Sequence, residues 1–142
     1  MSIFSRWDNL QQTIMQIVFE KGWTWADYVQ AENEIDARLD SVDWQVHLII
    51  DMRGAQALPG GSALSEIMRS FAEGHDNLGM VVIVGANKVL QLLLRTMQRL
   101  TPSGSAQHIR FAADPEEARG ILRSVFYVRQ SLSDSAFAAE VS

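Results

Sequence analysis

Hydrophobic and polar positions alternate along this chain in two rhythms, and the order of those rhythms predicts the elements. The opening segments "SIFSRWD" and "TIMQIVFE" flank Asp8-Asn9, a turn-favouring pair, and read as two strands joined by a short connection. In the second, Thr13, Met15, Ile17 and Phe19 share one face while Gln16 and Glu20 fall on the other, which predicts a strand half open to water. Gly22 breaks the chain. Thr24 then stands as an N-cap with Asp27 three residues on, and Tyr28, Ala31, Ile35, Leu39 and Val42 recur at helical spacing. "VHLIID" and "GMVVIVG" are apolar on nearly every position, the pattern of strands covered on both faces in the parallel centre of a sheet.

Between those two runs, Ser62 caps an expected helix carrying Leu64, Ile67, Met68, Phe71 and Ala72, which Gly74 would stop. Asn87 caps another, "KVLQLLLRTMQRL". "HIRFAAD" is a more polar strand, expected near an edge. Asp114, Pro115 and Glu117 then supply an N-cap, a first-turn proline and a closing acid for a last helix. The element order is β-β-α-β-α-β-α-β-α. It implies an α/β fold: a single-domain mixed β-sheet with a parallel centre and helices packed against it. The domain is expected over residues 1–130, with 131–142 a frayed C-terminal tail.

Composition narrows the function more than it names one. With 142 residues and 47% hydrophobic content, the chain has enough apolar surface for one core. It has no cysteine, so disulfides and thiolate chemistry are excluded. The N-terminus lacks an apolar run long enough for a signal peptide or a membrane span, so the expected location is the cytoplasm. A net charge of −5 argues against a partner held through many phosphates, and no nucleic acid is expected. The acidic excess gathers on the first helix as Asp27, Glu32, Glu34, Asp36 and Asp40, with Asp43 just beyond; a solvated face explains it, and a docking face for a basic partner is the sharper alternative.

The stretch "HLIIDMRGAQALPGGSALSEIM" carries most of the candidate chemistry. A phosphate loop would need a lysine beside its glycines, and none is present. The histidines at positions 47, 75 and 108 lie far apart with no metal-ligand spacing, so no metal is expected, and His47 reads as a packed strand residue with one satisfied nitrogen. Ser62 lacks the surroundings of a nucleophile. Asp51, at the C-terminal end of a buried strand, stands where open α/β sheets bind ligands, but a carboxylate there also serves the following loop, with Arg53 close by. The candidate binding loop therefore comprises Asp51, Arg53, Gly60, Gly61 and Ser62, with Asn87 at the next strand's end. No catalytic residue and no cofactor is expected. The third helix is apolar over much of its circumference, with Leu92 off the main face. Leu92 and Trp25 are candidate interface residues for a homodimer.

Together these motifs resemble the STAS domains, and more closely their SpoIIAA-like branch, related to anti-sigma-factor antagonists. The likeness rests on the strand hairpin, the "GWTWADY" helix start, "IIDMRG" with its loop and helix, "MVVIVG" and the final "FAADPEEA", and it covers roughly residues 1–128. It implies a non-enzymatic regulatory or protein-interaction module with a protein partner. In phosphorylatable members an Asp-Ser pair opens the helix after the strand, and modification repels the partner. Aligning Asp51 and Gly54 with that pattern puts Pro59 and Gly60 at the pair, so the switch serine is missing and Ser62 falls two residues late. The branch's relation to CRAL-TRIO lipid-exchange domains implies an alternative, a carrier or sensor of a small apolar ligand.

Overall fold

The computed structural model describes residues 2–55, 76–86, 88, 91, 92, 95 and 109–125. The described residues form a five-stranded sheet of β1 (Ile3–Trp7), β2 (Ile14–Phe19), β3 (Val46–Asp51), β4 (Leu78–Val84) and β5 (Ile109–Ala112), in the spatial order β1-β2-β3-β4-β5. β1 and β2 pair antiparallel; all other pairings are parallel. The sheet is therefore mixed with a parallel interior, as the run of apolar residues in β3 and β4 predicts. The more polar β5 is an edge strand, also as expected.

Helix α1 (Trp25–Asp40) begins where its capping residues dictate. The Asp27 N–H donates to Thr24 Oγ1 at 3.2 Å, and the Thr24 N–H donates back to Asp27 Oδ2 at 3.0 Å. Two of the N–H groups at the helix start are thereby satisfied. Its buried stripe of Tyr28, Ala31, Ile35 and Leu39 packs with Val42 on alternate residues of the sheet: Ile3, Met15, Ile17, Val46, Leu48, Ile50, Val81, Ile83 and Ile109. The intervening residues Ile49, Met80, Val82, Val84 and Ala112 form a second core with Ala118 and Leu122 of helix α2 (115–125). α1 and α2 thus cover opposite faces, and all six residues of β3 are buried.

At the start of α2 the Glu117 N–H donates to Asp114 Oδ1 at 2.8 Å, so Asp114 is the cap. The Glu117 carboxylate, however, accepts from the Ala113 N–H at 3.4 Å rather than from Asp114, one residue earlier than a capping box requires. Farther along, Arg119 reaches Asp8 in the β1–β2 connection through two 2.8 Å bonds, Nε to Oδ2 and Nη2 to Oδ1. This fork fastens the helix across the sheet. The hydrogen bonds to Asp8 hold the guanidinium above its ordinary pKa, against the opposing effect of burial.

One expectation fails at β2. Gln16 is not on a wet face: it is 3% exposed, with Oε1 accepting from Arg6 Nε at 3.0 Å and Nη2 at 2.8 Å. The polar side chain is buried because the neighbouring strand brings an arginine to satisfy it, which a single-strand pattern does not reveal. Of the expected helices, residues 88, 91, 92 and 95 are helical, while the helix from Ser62 and the C-terminal tail lie outside the described residues.

β3 and β4 slip register between Val46 and Leu48, which face Leu78 and Val81, so β4 holds one extra residue there. The Met80 N–H turned out of the ladder donates to His47 Nδ1 at 2.9 Å, as a packed strand histidine should accept it. The ring is 3% exposed and leaves no space opposite: a Cβ on Gly79 would stand 2.5 Å from His47 Nδ1 and 2.7 Å from Cε1. Gly79→Ala should cost about 1–3 kcal/mol in denaturant unfolding, and much of that cost should vanish when His47→Ala is present, because the two positions share one volume.

Candidate functional site

The rim at the C-terminal ends of the parallel strands is where the chain places its candidate chemistry. Asp51 ends β3 with its side chain buried and its backbone committed to the sheet. The chain then turns back on that carboxylate. The Arg53 N–H donates to Asp51 Oδ1 at 3.1 Å, which fixes the first residues of the loop. The Arg53 side chain folds the same way, giving Nε to Oδ1 at 3.0 Å and Nη2 to Oδ2 at 2.8 Å. Such a fork matches the planar guanidinium to both carboxylate oxygens and fixes its orientation.

β4 contributes the wall behind this pair. The Met52 N–H donates to the Val84 carbonyl at 2.9 Å and the Gly85 N–H to the Ala112 carbonyl at 3.0 Å, so the three strand ends are laced together. Gly85 has φ of +76°, and a Cβ there would collide with Arg53 Cγ and crowd its backbone. Glycine is thus required twice over, by backbone conformation and by the arginine stem. Gly54 sits against the end of β2, where a Cβ would come within 3.1 Å of the Phe19 carbonyl. Asp114, at the head of α2, adds its charge to the field around Arg53.

Electrostatically, burial pushes the Asp51 carboxyl up, but hydrogen bonds from the Arg53 side chain and backbone, with its charge, outweigh that and hold it below the usual range. Arg53 is raised in turn, first by its hydrogen bond to Asp51. An ionised carboxylate that already accepts three hydrogen bonds is poorly placed to take a proton from a substrate. The Arg53 side chain is 50% exposed. What the rim offers is a guanidinium held in a fixed orientation.

Of the expected site residues, the structure brings Asp51 and Arg53 together. Gly60, Gly61, Ser62 and Asn87 lie outside the described residues. Trp25 is exposed at the head of α1 and stacked on Tyr28, with ring centroids 5.1 Å apart. Leu92 is 67% exposed, as its position off the main helix face suggests. Trp23 instead belongs to the core, edge-on to Phe19 at 5.0 Å, and its buried Nε1 has no hydrogen-bond partner among the described residues. Gly85 was the part of the rim that sequence reasoning missed; a glycine directly after a doubly buried strand was the available signal. Among the described residues no group of three or more His, Asp or Glu side chains is placed to hold a metal ion, and no helix is long and apolar enough to cross a membrane.

No family model, curated protein or solved structure matches the chain. The class that fold and rim define is a mixed α/β domain with a clamped arginine at the C-terminal end of its central strand.

The clamp has a pH signature. Because the Asp51 pKa is lowered on folding, its stabilisation is fully present above the unfolded value, near 3.8, and is lost as pH falls through the folded value. Asp51→Asn should therefore lower the melting temperature at neutral pH, and the gap to wild type should close as the solution is acidified below about pH 4. Thermal melts of both proteins across that range measure it.

Proposed function

We infer that this chain is a non-enzymatic regulatory or protein-interaction module of the STAS/SpoIIAA-like kind, engaging a protein partner at the rim beyond β3. The observation that carries the reading is the immobilised Arg53: its side chain is half exposed, while its orientation is set by Asp51 and its stem by Gly85. Recognition through such a group loses little side-chain entropy, because the folded protein has already ordered it. A carboxylate or backbone carbonyl on the partner is the matching chemistry. The absence of a serine at the switch position favours a partner bound without a phosphorylation cycle, since Pro59 and Gly60 offer no hydroxyl. The Asp51–Arg53 pair also argues against hydrolytic catalysis, because the carboxylate best placed for it is already engaged.

A second reading, the apolar-ligand carrier, has one observation in its favour. The buried Trp23 N–H beside Phe19 would accept a ligand with an apolar body and one hydrogen-bond acceptor. Native mass spectrometry separates the two readings: a carrier shows a bound hydrophobic species, and an interaction module shows bare polypeptide.

The rim itself is tested by capture from native lysate with wild type, Arg53→Lys and Arg53→Ala as baits. A stoichiometric partner should be recovered by wild type, weakened by lysine, and reduced at least about tenfold by alanine, the loss expected of a central arginine contact. Melting curves of each bait show that it remains folded. Equal recovery on all three would remove Arg53 from the contact.

A further inference from the structure

The second core does not reach the whole of its face. It runs from β5 across to β3 and takes in Ile14 at the start of β2, under Ala118, Ile121, Leu122 and Val125 of α2. Farther along, Phe4 lies opposite Val18, and Val18 lies opposite Asp51. Paired residues of neighbouring strands project to one face. Here it is the α2 side, because Ile3, Ile17 and Ile50, one residue before each, belong to the core under α1. Neither Phe4 nor Val18 joins the second core. Phe4 is 41% exposed and Val18 half-buried, an apolar step on β1 and β2 that runs up to the Arg53 rim.

Arg6 stands two residues from Phe4 on the same face of β1, and it is exposed. Its Nε and Nη2 both donate to one neutral oxygen, Gln16 Oε1. That contact fixes the guanidinium without neutralising its charge and leaves the Nη1 donors unspent. Arg6 makes no ion pair among the described residues, whereas Arg53 is already met by Asp51. Along these two strands the acids are Asp8, held by Arg119, and Glu20, just past the far end of β2. The outer edge of β1 is shut: Ile3 and Ser5 are 1% and 7% exposed, and Arg38 donates to the Ser5 carbonyl at 3.1 Å. A partner must therefore lie on the face of these strands rather than extend the sheet.

We propose that this step is a docking surface for an acidic amphipathic helix of a partner protein, with apolar side chains against Phe4 and Val18 and a carboxylate on Arg6. Two residues of a strand span about 7 Å, close to the spacing of positions i and i+4 on a helix. Charge selects the sign of the partner. A carboxylate gains a charge-assisted bond to a fixed guanidinium without displacing an existing ion pair, and a basic helix is repelled there. The step abuts the Arg53 rim but does not depend on it, because Arg6 supplies the charge.

Amide NMR spectra of the labelled protein, titrated with a synthetic helical peptide of leucine and glutamate at amphipathic spacing, test the proposal. The amides of Phe4, Arg6 and Val18 should shift and saturate below about millimolar peptide. Arg6→Gln and Phe4→Thr should each weaken binding at least about tenfold, with unchanged β4 amides showing that the variant is folded. If a variant does not fold, replacing the peptide's glutamates by glutamine removes the charge without touching the protein, and should weaken binding as much. The matching lysine peptide should give no saturable shift. The proposal is overturned if those three amides do not shift, or if the glutamine or lysine peptide binds as well. Shifts confined to Arg53 and Gly85 would support the rim and overturn the step. Concentration-dependent shifts of Phe4, Arg6 and Val18 without peptide would also overturn it, since a second copy would then be the occupant.

Discussion

The pairing of β3 with β4 is the constraint from which the rest of the architecture follows. Both strands are buried almost throughout, so neither lies at an edge and neither face of this inner pair meets water. Each face then requires its own cover. α1 supplies one with a stripe at helical spacing, and α2 supplies the other through Ala118 and Leu122. Burial of apolar side chains on both sides, each contributing about 1.5–3 kcal/mol, makes this pair the element whose loss would dissolve both cores together.

That same pairing sets the character of the rim. A strand buried on both faces must release its chain into the turn without leaving polar groups unsatisfied. Asp51 meets the requirement by accepting from the backbone and side chain of Arg53, and Gly85 gives way so that the arginine can lie against the end of β4. What began as loop closure leaves a fixed, half-exposed guanidinium where parallel sheets bind their ligands. A structural solution and the proposed recognition surface are here one arrangement. The other end of the inner pair is managed differently: His47 takes the N–H freed by the extra residue in β4, and Gly79 makes room for its ring.

Local rules made much of this legible. The Thr24–Asp27 cap, the buried stripe from Tyr28 to Leu39, the inner strands and the edge position of β5 all follow from spacing within one segment. The Asp51–Arg53 pair was readable for the same reason, being two residues apart at a strand end. What escaped depends on distant partners. Gln16 looks wet until Arg6 is placed beside it, and Asp8 looks like a turn residue until Arg119, 111 positions later, closes on it. The Arg38 bond to the Ser5 carbonyl was invisible too, because a backbone acceptor leaves no mark in the sequence.

Native-state hydrogen exchange tests the central role of the inner strands most directly. The amides of Leu48, Ile49 and Ile50 in β3 and of Val81, Val82 and Ile83 in β4 should exchange only through global unfolding, with the denaturant dependence of the whole domain. Exchange of those amides through local opening, with little denaturant dependence, while β1 or β5 remains protected, would contradict the account.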